Sequence, residues 1–180
     1  MWWRCLLLVA LCACHGAAPA EAPAAEEAKP SADGVPAKYV ELVVGGVLTN
    51  GEGHAVVLLD RIREIAVPIF VGESEALTIA LRHNRQRYER PLTHDLLDEV
   101  LAHLGGELVR IQIDDIRGET FVGAVFIRQG DRTFSLDARP SDAIALALGH
   151  RVPIFVHERV VARAGIRRPA DADAEKPSAI

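Results

Sequence analysis

Residues 107–138 constrain the fold more than any other stretch of the chain. "ELVRIQIDDI", "TFVGAVFIRQ" and "RTFSLDA" each alternate apolar and polar residues, the period of a half-buried strand. The short glycine-containing links "GET" and "QGDR" read as hairpin turns. A meander of this kind commits the chain to antiparallel sheet. Upstream, "YVELVVGGVL", "HAVVLLD" and "EIAVPIFVG" read as three more strands. A bulge is expected at Gly45-Gly46, a turn at "NGEG", and an edge or irregular position at Pro68.

Helical spacing appears in "ESEALTIALRHN" and most clearly in "LTHDLLDEVLAHLGG". In the second, Leu96, Leu97, Val100, Leu101 and Leu104 form the stripe expected to be buried. Thr93 is the expected N-cap, Leu92 can staple onto Leu97, and Gly105 ends the helix. A strand "VPIFV" and a short helix "HERVVARAG" close the folded part. The order of elements predicts a single α+β domain with a mainly antiparallel or mixed sheet and three to four helices. "VPIFVGESEALTIAL" and "TFSLDARPSDAIALAL" overlay without gaps, Ser74 on Ser141 and Glu75 on Asp142. That echo fits either an internal βα duplication or two uses of one junction.

The termini have a different character. Arg4 followed by the apolar run Cys5 to Ala13 is too short to span a bilayer and suits a signal peptide. Leu11-Cys12-Ala13-Cys14 resembles a bacterial lipobox, which implies cleavage before Cys14 and a membrane anchor through lipid on its thiol. Cleavage after Ala18 or Ala20, giving a soluble secreted protein, is the alternative. The expected organisation is a signal peptide over 1–14, an Ala/Pro/Glu tether over 15–38, a folded domain over 39–166 and a disordered tail over 167–180. That plan places the domain on the periplasmic side of the membrane. All the cysteines fall at or before residue 14, so the domain holds neither a disulfide framework nor a cysteine metal site.

Net charge is −5. From Val40 to Ile166 every fixed cation is an arginine, and carboxylates outnumber them. The domain lacks the overall basic excess typical of proteins held to nucleic acid chiefly by phosphates. One local exception is "RHNRQRYERP", where Arg82, Arg85, Arg87 and Arg90 surround Tyr88. It reads either as a solvated helix end or as a cationic patch.

"FSLDARPSDAIALALG" packs its charges between a strand and an apolar helix. With Pro140 as first helical residue, Asp142 sits where an acid can accept free backbone N–H groups, and Glu75 and Asp95 hold similar places. Asp137 and Arg139 precede the helix and are not preferred caps. They are left either to pair with each other or to meet a ligand. A helix start carrying an arginine suits a phosphate better than a bare cation.

With "PIFVGESEALTIAL", "RPLTHDLL" and above all "DARPSDAIALALGHRVPIFV", the chain resembles the bifunctional nuclease domain family from about Val40 to Ile166. Phe70 stands where that family commonly has Trp, a change expected to alter packing little. The resemblance implies hydrolysis of DNA and RNA. It makes Asp137, Asp142, His94 and Asp95, with Glu75, candidate catalytic groups, and Arg139 and Arg90 candidate phosphate contacts. Mg²⁺ or Mn²⁺ on Asp137 and Asp115, with Asp114 nearby, would serve the chemistry if the sheet order joins those segments. Spacing alone is not diagnostic of a nuclease. A non-catalytic binding or assembly module and a hydrolase of another phosphoester stay open, as do monomer and homo-oligomer.

Overall fold

The computed structural model describes residues 36–167 except 52 and 63. The expected signal peptide, Cys14, nearly all of the tether and the tail beyond residue 167 lie outside the described residues. The elements are β1 (Tyr39–Asn50), β2 (Gly53–Leu59), β3 (Ile65–Val71), α1 (Glu73–His83) and α2 (Thr93–His103), then β4 (Gly106–Arg117), β5 (Thr120–Gln129) and β6 (Arg132–Ala138). α3 (Pro140–His150), β7 (Ile154–His157), α4 (Glu158–Ala164) and the short β8 (Ile166–Arg167) complete them. The α+β reading holds, with one mixed eight-stranded sheet in the order β6-β5-β4-β7-β1-β2-β3-β8. Only β4 and β7 pair in parallel, because the crossover through α3 inserts β7 at the centre.

β1 pairs with β7 through Tyr39 to Leu42 and with β2 from Val43 onward. The expected bulge falls within the β1–β2 pairing, at Val44/Gly46, and Gly46 takes φ 151, which a side chain would resist. The sheet curls enough for Ile69 to Gly72 at the end of β3 to line one cleft with Glu119 to Phe121 of the β4–β5 turn. The helix from the elbow, α3, is central. Ala143 through Ala147 are all buried, and the small alanines let α3 pack closely on α1, α2, β4 and β5. Ile144 meets a core that includes Ile111, Ile113, Val125, Val156 and Ile79.

Two expectations for α2 need correction. Its N-cap is Leu92, with Thr93 already the first helical residue. The Asp95 carboxylate reaches back to accept the Leu92 N–H at 2.8 Å, the N3 half of a capping box. The apolar stripe is also not buried: Leu96, Leu97, Val100 and Leu104 are all exposed, and only Leu101 packs against the core. The inward side of α2 instead carries Asp95, Asp98 and His94, each bonded to another helix. Charge pairing, not apolar area, sets the rotation of α2.

The two kinds of apolar position separate in a denaturation experiment. Ile144→Ala, at a fully buried site, should cost about 2–5 kcal/mol. Leu96→Ser should shift stability by no more than about 0.5 kcal/mol, despite the helical periodicity that places it in the stripe. Urea midpoints at constant slope provide the measurement.

Candidate functional site

Three helix starts converge at the elbow. Arg139 precedes α3 and directs Nε to Asp142 Oδ2 at 2.7 Å and Nη2 to Asp142 Oδ1 at 3.1 Å. The same Nη2 reaches Glu75 Oε1 on α1 at 2.9 Å. From α2, His94 Nε2 meets Asp142 Oδ1 at 3.2 Å. Ser74 donates its hydroxyl to Glu75 Oε2 at 2.9 Å. Positive helix starts favour the acids here, and the arginine between them limits their mutual repulsion.

Asp142 therefore does not serve as the cap of α3 that the helix-end argument expects. Its oxygens are taken by Arg139 and His94, and α3 begins with Pro140 and no side-chain cap. Arg139 is less free than a dedicated phosphate clamp, since one guanidinium faces two carboxylates. Its side chain is nonetheless 67% exposed, and Nη1 has no partner among the described residues. It stands at a cleft of about 290 Å³ whose lining includes Gly72, Phe121, Ser141 and Phe70. Phe70 is 79% exposed, so the residue in the family's Trp position packs into no core and presents its ring at the cleft.

The electrostatics follow from these contacts. The Glu75 carboxyl is held below its ordinary value first by its own backbone N–H, then by Ser74 and Arg139. Burial pushes Asp142 up, but the bond to Arg139 and its charge, with His94, outweigh it and leave the carboxyl low. Arg139 is pushed up by Asp142 first and Glu75 second. Glu75, Asp142 and Arg139 are therefore all charged at neutral pH.

A second network lies alongside. Arg82 of α1, with its side chain 8% exposed, donates to Asp95 at 2.7 Å, Asp98 at 2.8 Å and the Ala145 carbonyl at 2.9 Å. His150 completes it on Asp98 at 3.0 Å. Burial raises the Asp95 carboxyl, but the Leu92 N–H and Arg82 together bring it below its ordinary value. A Cβ at Gly149 would collide with Arg82 Nη1, so that glycine makes room for the guanidinium. Arg82, expected in the cationic stretch around Tyr88, is instead buried and neutralised by Asp95 and Asp98, while Asp98, His150 and Gly149 were not singled out from the sequence. The available signal was an arginine three residues after the buried Ile79, on the inward stripe of α1.

The remaining candidates stand apart. Asp137 lies on β6 opposite Ala124, exposed and without an ionic or hydrogen-bonded partner among the described residues. Asp115 is on β4, with β5 between; it accepts the Ile116 N–H and faces Arg159 Nη1 at 3.8 Å. Asp114 accepts the Tyr39 hydroxyl at 2.7 Å. Arg90 is exposed in the α1–α2 link, outside the cleft. Among the described residues no three His, Asp or Glu side chains gather as metal ligands. Asp137 and Asp115 thus do not fit a shared divalent-ion site, and Glu75 and Asp142 are already opposed by Arg139.

A family model, the bifunctional nuclease domain, matches residues 56–169. The chain belongs to this family. Both networks, from Glu75 to His150, fall within the matched span. An uncharacterised protein of Mycobacterium tuberculosis is 38% identical over 139 residues, covering 77% of this chain and 83% of the relative. Bifunctional nuclease 2 of Oryza sativa subsp. japonica is 31% identical over 107 residues, 58% of this chain and 33% of its own. Bifunctional nuclease 1 of the same rice is 25% identical over 118 residues, 63% and 36% respectively. The chain thus spans about a third of the length of these plant nucleases.

Because Glu75, Asp95 and Asp142 bind protons less readily folded than unfolded, they stabilise the fold above the ordinary values of 4.5 and 3.8. That contribution is lost as pH falls through the lower folded values. Asp142→Asn should therefore flatten the dependence of the urea midpoint on pH below about 5. Arg82→Leu should cost about 3–5 kcal/mol near neutral pH, because it strands Asp95 and Asp98 together. Unchanged midpoints in either variant would contradict the ion-pair account.

Proposed function

We propose that this chain hydrolyses phosphodiester bonds of DNA and/or RNA at the elbow cleft. Family membership and the names of the rice relatives support the reaction class. The observation that carries the site is Arg139, held by Glu75 and Asp142 yet exposed beside Phe70 at the cleft. A guanidinium immobilised this way offers Nη1 to a non-bridging phosphate oxygen with little further ordering. Phe70 is placed to stack a base. His94 acts through Asp142, orienting the carboxylate that orients Arg139. Asp137 is the elbow acid without a partner among the described residues; it is not among the residues lining the cleft, so a part in activating water is tested separately by Asp137→Ala.

Arg139→Gln should lower kcat/KM on DNA and RNA oligonucleotides by about 10²–10³, the scale of losing one transition-state donor. The assay is run with and without EDTA and beside Asp137→Ala. Wild-type cleavage by Arg139→Gln would overturn this assignment. A second reading, a binding module without catalysis, is favoured by the two carboxylates that offset Arg139. It requires that the wild-type chain bind oligonucleotide and leave it intact.

The place of action is part of the proposal: outside the cytoplasmic membrane, anchored by lipid on Cys14, as Leu11 to Cys14 suggests. Cys14→Ala should move the chain from the membrane to the soluble fraction of exporting cells. An unchanged partition would exclude this anchor.

A further inference from the structure

α1 and α3 both begin at the elbow cleft, and their far ends line a groove of about 770 Å³. Both close with the same motif. Gln86 N–H bonds the Leu81 carbonyl at 2.8 Å, and Val152 N–H bonds that of Ala147 at 3.1 Å. The residue preceding each donor takes a left-handed backbone, Arg85 at φ 56 and Arg151 at φ 57. Glycine is the usual occupant of this position because a Cβ is strained there. α2 follows that rule with Gly105 at φ 69, whereas α1 and α3, whose C-terminal ends line the groove, carry arginine at this position.

Arg85, Arg87 and Arg151 all line the groove, all are exposed, and none has a partner among the described residues. Elsewhere Arg61, Arg128, Arg139 and Arg159 each face a carboxylate. The acids of the groove are occupied: Asp95 and Asp98 by Arg82, Glu41 by Arg61 at 2.9 Å. A second cleft of about 470 Å³ adjoins and shares Arg82, Gln86, Arg87, Asp95 and Asp98 with it. That cleft carries Tyr88, 54% exposed. Unpaired arginines in a groove beside an exposed aromatic ring are what a flexible single strand requires, cations for phosphates and a face for a base.

We propose that this groove is a second nucleic-acid contact, remote from the elbow, in which Arg85, Arg87 and Arg151 hold the phosphates of a single strand and Tyr88 stacks a base. It rests on nucleic acid being the substrate class and adds a binding path to the cleavage site. It also accounts for a net-negative chain engaging a polyanion: the cations are concentrated, not abundant.

The backbone supplies a discriminating test. Arg85→Gly and Arg151→Gly remove charge while relieving the left-handed strain, so binding and folding should move in opposite directions. Binding of the full chain to a fluorescent, nuclease-resistant phosphorothioate 12-mer is followed by anisotropy across a salt series. Each glycine substitution, and Arg87→Ala, should weaken binding and reduce the slope of log K against log salt by about 0.7. The melting temperature of the two glycine variants should hold or rise. Tyr88→Leu should weaken binding without changing the slope.

Unchanged affinity and slope in the arginine variants would overturn the proposal, as would equal competition by polyglutamate or absence of wild-type binding. Arg139→Gln keeps the two claims separate. It should lose cleavage of an ordinary oligonucleotide, and in its background Arg87→Ala should still lower the salt slope by about a further 0.7. A wild-type chain that cleaves nothing but shows the arginine-dependent slope would refute the hydrolytic reading and support the groove.

Discussion

A buried arginine needs partners for its charge, and the two terminal nitrogens of Arg82 draw them from separate helices while its Nε has none among the described residues. It projects from α1, takes Asp95 and Asp98 from α2, and bonds a carbonyl of α3. Leaving such a charge unpaired in the interior is far more costly than leaving leucines in water. α2 accordingly turns its acids inward and its leucines outward. That rotation carries His94 to Asp142, so the geometry at the elbow depends on a charge well behind it.

The elbow itself is a lock before it is a site. Arg139 joins the starts of α1 and α3, and His94 adds the start of α2. Like partial charges at three helix starts would repel, and the mixture of two carboxylates, an arginine and a histidine offsets them. What remains for chemistry is limited and specific: one exposed guanidinium edge, one unpaired aspartate on the adjoining strand, and an aromatic ring across the cleft. Membership in the bifunctional nuclease domain family gives those groups a reaction to be tested against. The arginine-lined groove at the other end of α1 and α3 lies on the same helix pair, so one packing contact positions both clefts.

Much of this was legible in the order of residues. The meander over 107–138, the bulge at Gly45-Gly46, Pro140 opening a buried helix and Gly105 closing another all follow from local chemistry, and all stand as expected. Local rules failed where a distant partner competed. Thr93 is a good cap in isolation, but the helix starts one residue earlier, with Leu92 as N-cap and its N–H bonded by Asp95. Asp142 could serve backbone donors, but Arg139 and His94 lie closer to hand. The stripe of α2 obeys its period and still faces water.

By itself the sequence determined the kinds of element, their order, the chemistry available at each junction and the family. These depend on side-chain period, turn residues and caps, which act within a few positions of the chain. Which charges meet was decided only in three dimensions. The curl of the sheet and the packing of α1 against α3 bring Glu75 to Arg139 and gather Arg85, Arg87 and Arg151 in one groove, while β5 keeps Asp115 from Asp137. Ion pairing acts through space between residues far apart in the chain, and no local pattern records it.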